Sequence, residues 1–196
     1  MLQTTHLRPH LDELSDQMWT TFFVDPIFSS RLQQKANLRL QMQLFRDAGL
    51  AASNQVQSQI RNDKIFWLDA KLPDLCEVES SALHSLDQLR QQIRTDLRVS
   101  LGEVECHYAF YEKGHFYKRH RDATSQNNKR IFSFVLYLND NWKENDGGAL
   151  MAYGNEKILF SIQPEIGKMI LFRSELEHEV LITNRDRLSL TGWFRQ

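Results

Sequence analysis

The stretch FYKRHRDATSQNNKRIFSFVLYL, Phe116 to Leu138, decides how this chain folds. Its first part crowds Lys118, Arg119, His120 and Arg121 around one carboxylate, Asp122. Its last part, Ile131 to Leu138, is an apolar run of about one strand's length. His120-x-Asp122 is therefore either a charged surface turn or a pair of metal donors at the entrance to a β region. Seven histidines and 25 acids in 196 residues make roughly one such pair expected by chance. Two occur, His10-x-Asp12 and His120-x-Asp122, and local structure separates them. HLRPHLDELSDQM around His10 has a helical pattern, in which residues two apart point to nearly opposite sides. On a strand such residues share a face, so His120 and Asp122 can take adjacent positions on one ion.

Outward from this stretch, everything after Gly102 reads as short strands. EVECHYAFYE, RIFSFVLYL, GALMAY, KILFSI, GKMILF, HEVLIT and RLSLTGWF are separated by turn signals such as LNDN, NDGG, YGNE and TNRD. Before Gly102 the texture is helical. DPIFSSRLQQKANLRLQMQLFRDAGL can be capped by Asp25, started by Pro26 and ended by Gly49. Ile27, Leu32, Leu38, Met42 and Phe45 supply its expected apolar face. A second helix follows in VESSALHSLDQLRQQIRTDLRVSL, with Leu83, Leu86, Leu89, Ile93 and Leu97 at helical spacing. A short strand, WTTFFV, precedes the first helix, and a polar loop from Ala51 runs into a strand at Ile65 to Leu68. The expected fold is α+β: a double-stranded β-helix, a cupin-like jelly roll, with N-terminal helices packed on one sheet. We expect a single domain over 1–196, with helical support to about residue 100 and the metal-bearing β core from about 101.

Composition adds exclusions. Hydrophobic residues make 41% and charged residues 25%, which is ordinary globular usage. Lys and Arg number 24 against 25 acids, so no net charge attracts nucleic acid or an anionic membrane. No apolar run approaches the roughly 20 residues of a membrane span. MLQTTHLRPHLDEL lacks the apolar core of a signal peptide, so a cytoplasmic protein is expected. Cys76 and Cys106 form no CxxC pair and read as two reduced thiols.

A third metal donor is expected from another strand, and His178 opens HEVLIT. Two imidazoles and one carboxylate on one face leave positions open on an octahedral ion, the facial arrangement of non-haem Fe(II) oxygenases. Nine residues on stands Arg187. In RLSLTGWF, Arg187, Ser189, Thr191 and Trp193 share one strand face, and Leu188, Leu190 and Phe194 the other. A guanidinium inside a barrel needs an anion, and a dicarboxylate can be gripped bidentately. Tyr137 can add a hydroxyl to the same carboxylate. Arg185 competes with Arg187 for this role, and both stand beside the turn-like NRDR. His107 and His115 read as strand or turn residues rather than further ligands. Trp67 is either core or pocket. Lys118, Arg119 and Arg121 form either a solvated face or an attraction for an acidic segment.

These motifs resemble the Fe(II)- and 2-oxoglutarate-dependent dioxygenases, and among them the prolyl hydroxylases of the hypoxia-sensing type and their bacterial relatives. IRNDKIFWLD, LYLNDNW followed by GGAL, EHEV and RLSLTGWF resemble family segments in the family's order, over roughly residues 19–196. The resemblance implies Fe(II) on His120, Asp122 and His178, with 2-oxoglutarate on Arg187 and Tyr137 and near Tyr111. It places Arg61, Asp63 and Arg130 at the substrate entrance, with Asp63 pairing with Arg130, and has Trp193 line the substrate pocket. It implies dioxygen as co-substrate, ascorbate as an auxiliary ligand, and a protein substrate with a target proline, elongation factor Tu being one candidate. Lys113 and His115 stand where animal members are glycine-rich, which bears on the substrate. Two other readings stay open: hydroxylation of a free amino acid or other small molecule, and a non-catalytic cupin-like metal- or ligand-binding module.

Overall fold

A computed structural model describes residues 7–49, 59–123, 129–155 and 157–196. The start of the expected polar loop, 51–58, lies outside them. Two antiparallel sheets form the body. Arranged around them are α1 (Arg8–Gln17), β1 (Trp19–Phe23), α2 (Pro26–Gln41), β2 (Arg46–Asp47), β3 (Lys64–Leu68) and α3 (Glu77–Asp96). The β-rich half supplies β4 (Glu103–Tyr111), β5 (Tyr117–His120), β6 (Arg130–Tyr137) and β7 (Leu150–Gly154). It ends with β8 (Lys157–Ile162), β9 (Lys168–Arg173), β10 (Glu177–Val180) and β11 (Arg187–Arg195). The major sheet runs β1-β9-β6-β11-β4-β3-β2, and the minor sheet β5-β10-β7-β8. This is the double-stranded β-helix expected from the strand pattern.

Strand periodicity sorts the side chains into two cores. Tyr108 and Phe110 of β4, Phe132, Phe134 and Leu136 of β6, and Leu188, Leu190 and Phe194 of β11 face the helices. They meet Leu11 and Leu14 of α1, Leu32 and Ala36 of α2, and Leu86, Leu89 and Ile93 of α3. Alternate residues, Ala109, Tyr111, Val135 and Tyr137, face the minor sheet and pack with Leu150, Ala152, Phe160, Phe172, Leu176 and Val180. The space between the sheets is thus apolar at one end and open to polar side chains at the other.

α3 buries the expected leucine face, and its first-turn Glu79 accepts a hydrogen bond from the N-cap nitrogen of Cys76, 3.2 Å away. α2 departs from expectation. Asp25 caps it as foreseen, accepting from the Phe28 nitrogen at 2.8 Å. The helix stops at Gln41, well before Gly49, because Gln43 turns to φ +57° and Arg46–Asp47 joins β3. Its expected apolar face is also wrong: Ile27 is 73% and Met42 65% exposed, and Leu38 is exposed too. Of that face Leu32 is buried as expected within the helix, but its companions there are Ser29, Ala36 and Arg39. Arg39 is accommodated because Glu79 takes its Nε and Nη2 at 2.6 and 2.8 Å, while Asp74 takes Nη1 at 2.7 Å. Its guanidinium also lies over the Phe66 ring at 4.4 Å. Phe45 is buried, but through packing beyond the helix end, beside Phe66 and Phe110.

Candidate metal centre

β5 and β10 pair antiparallel with His120 directly opposite His178. That register places two imidazoles side by side, ring centroids 4.3 Å apart. Asp122 follows β5, and its backbone nitrogen is anchored to the Ser174 carbonyl at 3.1 Å. One donor atom from each of the three residues lies within 4.8 Å of the others. Asp122 places Oδ1 3.6 Å from His120 Nε2 and Oδ2 3.4 Å from His178 Nε2. The other pair, His10-x-Asp12, splits apart on α1: His10 meets Thr20 while Asp12 meets Arg8.

Local contacts prepare these donors. Nδ1 of His120 lies 2.7 Å from the Lys118 carbonyl, and Nδ1 of His178 2.9 Å from that of Leu176. A carbonyl only accepts, so each Nδ1 carries a proton and each Nε2 is the atom turned toward Asp122. Burial, with His120 nearby, pushes His178 down to about 4, so it is neutral near neutral pH. Burial acts to raise Asp122, but His178, His120 and the Ser133 hydroxyl hold it well below the usual carboxylate range. Ser133 donates to Asp122 Oδ2 at 2.6 Å and is itself hydrogen-bonded to Ser174 at 2.9 Å. Tyr117 stacks on His120 at 3.6 Å, and Phe172 meets His178 edge-on at 4.9 Å. Two imidazoles and one carboxylate, converging with room beside them, fit a ferrous ion.

Ser133 and Tyr117 were missed by sequence reasoning. Ser133 carried a signal: apart from the Tyr137 phenol it is the one hydroxyl on the face of β6 that also bears Val135. Tyr117 carried none beyond its place three residues before His120.

At the far end of the same space sits Arg187, 1% exposed. Its Nε donates to the Gly148 carbonyl at 2.9 Å, but its Nη1 is buried without a partner among the described residues. Among the described residues no carboxylate pairs with it. The guanidinium carbon lies 5.0 Å from the Tyr111 ring and 5.2 Å from that of Tyr137. The Tyr137 hydroxyl is likewise buried and unpartnered. Burial, opposed by Arg187, pushes it up to about 12. A guanidinium with an unpaired Nη1 and a neutral hydroxyl without a partner among the described residues suit a carboxylate guest. Gly148 permits this arrangement: at φ +65°, a Cβ there would stand 3.0 Å from the Arg187 side chain. Arg185 is on the surface beside Asp146 at 3.4 Å, so the buried position belongs to Arg187.

A cavity of about 580 Å³ joins the two ends. Its walls include the triad, Arg187, Tyr111, Arg61, Asp63, Arg130 and Trp193, whereas Tyr137 stands behind them. The expected pairing of Asp63 with Arg130 is not made. Asp63 is held bidentately by Arg61 at 2.8 and 2.6 Å, and Arg61 also lies over the Tyr117 ring. Arg130 instead stacks on Trp193, 3.4 Å from the ring centroid, and donates to Glu105 at 2.9 and 2.8 Å. The physical reason is proximity along the strands: Glu105 pairs with Trp193 in register, beside Arg130, while Arg61 is two residues from Asp63. Trp67 is half exposed in the cavity wall rather than in the core. His115 stays at a turn beside Glu112.

Residues 106–195 match the family described as the 2OG-Fe(II) oxygenase superfamily. Egl nine homolog 1 of Rattus norvegicus is 30% identical over 159 residues, 76% of this chain and 46% of that protein. The chain thus spans less than half the length of that curated relative. Among solved structures, a prolyl-4-hydroxylase of Pseudomonas putida is 34% identical with a TM-score of 0.88, covering 97% of this chain and 99% of that one. A prolyl hydroxylase from Trichoplax adhaerens, in complex with a hypoxia inducible factor oxygen degradation domain peptide fragment, is 25% identical with a TM-score of 0.82. That match covers 95% of this chain and 87% of the other.

Proposed function

Because this chain belongs to the 2OG-Fe(II) oxygenase superfamily, among its prolyl hydroxylases, we propose that it hydroxylates a proline in a protein or peptide, converting 2-oxoglutarate and dioxygen to succinate and carbon dioxide. The observation that carries this reading is Arg187: a buried guanidinium with an unpartnered Nη1, in the cavity that also holds the three metal donors. A non-catalytic ligand-binding module has no need of both ends.

His120, Asp122 and His178 would hold Fe(II), which supplies the activation of dioxygen needed to oxidise a C–H bond. Ser133 fixes the Asp122 carboxylate, and the Lys118 and Leu176 carbonyls fix the two rings, so the donor set is oriented before any ligand arrives. Arg187 would take the distal carboxylate of 2-oxoglutarate, with the Tyr137 hydroxyl donating to it and Tyr111 flanking the bound diacid. Arg61, Asp63, Arg130 and Trp193 would receive the substrate and exclude water around the reacting carbon. The cavity extends beyond these residues to Leu44, Arg46 and Gly49, more room than a single amino acid needs. The Trichoplax structure, which holds a peptide, supports a peptide substrate here. Elongation factor Tu is a candidate within that class. No helix among the described residues is long and apolar enough to cross a membrane, and we place the reaction in the cytoplasm. The helices and β core would act together as one catalytic domain.

The test is a pool of capped peptides centred on proline, incubated with protein, Fe(II), 2-oxoglutarate and air. A gain of one oxygen at proline, matched by succinate, is expected. Succinate formation stimulated by free proline or another small molecule, with no peptide oxidised, would replace this reading with the small-molecule one.

A further inference from the structure

We infer that His107 binds substrate: its imidazole, with the Trp193 indole N–H beside it, hydrogen-bonds the main chain of the segment bearing the target proline. This rests on the peptide hydroxylase reading above and narrows its substrate to an internal, uncharged stretch of chain.

His107 lies on β4, opposite Trp67 of β3 and Thr191 of β11. It shares the inward face with Ala109 and Tyr111, whereas Cys106, Tyr108 and Phe110 point to the helical core. It is 2% exposed and forms part of the cavity wall. Its ring stands between two indoles, 4.7 Å from Trp67 and 5.4 Å from Trp193. An aliphatic side chain would fill that place without needing a partner. Here, among the described residues, Nδ1 of His107 is buried with none, and so is Nε1 of the neighbouring Trp193. Buried polar atoms left unpaired are costly, and two in one wall of one cavity point to a ligand that pairs them.

The chemistry of the wall selects the ligand. Burial pushes His107 down to about 3, so it is a neutral ring that can accept at Nδ1 when Nε2 carries the proton. An indole N–H only donates. A donor beside an acceptor matches the C=O and N–H of a peptide main chain. The nearby charges are already matched: Arg61 is held on Asp63, and Arg130 on Glu105. The ammonium and carboxylate of a free amino acid therefore find no open counter-charge along this wall among the described residues.

The probe is the capped peptide that wild-type protein hydroxylates fastest in the pool described above. His107→Leu is expected to raise the peptide KM about tenfold, with kcat and 2-oxoglutarate affinity unchanged. His107→Asn, which returns a polar atom near Nδ1, is expected to recover most of that loss, and Trp193→Phe to resemble His107→Leu. In wild type the Trp193 indole N–H resonance is expected to move when peptide is added. A wild-type peptide KM in His107→Leu overturns the inference, as does His107→Asn behaving no better than His107→Leu. Should His107→Leu fail to fold, an unchanged KM in Trp193→Phe overturns it. Wild-type protein that oxidises none of the peptides removes the parent reading, and this inference with it.

Discussion

Single side chains decide whether this fold has chemistry. On the proposed reading, His178→Ala removes one of three donors, so ferrous binding measured by equilibrium dialysis should collapse and with it 2-oxoglutarate turnover. Ser133→Ala leaves all three donors but frees the Asp122 carboxylate, and metal affinity should fall about 10- to 100-fold, the usual cost of losing an outer hydrogen bond to a ligand. The convergence of His120, Asp122 and His178 was legible from the short His120-x-Asp122 spacing and the start of a strand at His178, although Asp122 lies just past β5 and the two imidazoles meet through strand register rather than through a common face of one strand. Ser133 gave only the weak signal of a hydroxyl on the inward face of β6, since its importance comes from its close approach to Asp122, and Tyr117 gave none, since its stacking on His120 three residues along β5 follows no strand period. Asp63 and Arg130 were foreseen in the cavity but mispaired: sequence places charges near one another without saying which neighbour is nearest once the sheet twists.

At the scale of elements, α2 shows where periodicity misleads. Its apolar residues Ile27, Leu38 and Met42 face outward, and the side chain that ties it to α3 is Arg39. A buried ion pair is invisible to any count of apolar spacing, because it places charge where the pattern asks for leucine. Arg39→Ala should cost about 3–5 kcal/mol in chemical denaturation, since Glu79 would be left buried and uncompensated. Acid should weaken the same link. Burial tends to raise the Glu79 carboxyl, yet Arg39 and the Cys76 nitrogen hold it below the ordinary value in the folded protein. A lowered folded pKa stabilises fully above the ordinary glutamate pKa of about 4.3 and is lost as pH falls through the folded value. Wild type should therefore lose stability on acidification below that range more steeply than Glu79→Gln, read by denaturation at stepped pH. In contrast α3 and most strands of the β-rich half were legible, because Leu86, Leu89 and Ile93, and the alternation in β6 and β11, bury what their periods predict. β5, which carries His120, was not among the expected strands, since its charged YKRH has no apolar alternation, and the strand expected in HEVLIT ends at Val180.

Across the whole molecule, two sheets bring three converging metal-donor side chains and a guanidinium without a carboxylate partner among the described residues to one cavity. The minor sheet supplies His120 and His178, while β11 of the major sheet supplies Arg187. Neither end is explained alone: the donors leave room beside them, and the guanidinium lacks an anion. The two should therefore bind one ligand jointly. The most direct measurement is calorimetric titration of 2-oxoglutarate into the protein under anaerobic conditions, with and without Fe(II), for wild type, His178→Ala and Arg187→Ala. Tight binding is predicted only for wild type with the metal present, with Arg187→Ala weakening it by about 2–5 kcal/mol. Equal affinity in all three proteins, with or without the metal, would contradict a shared site.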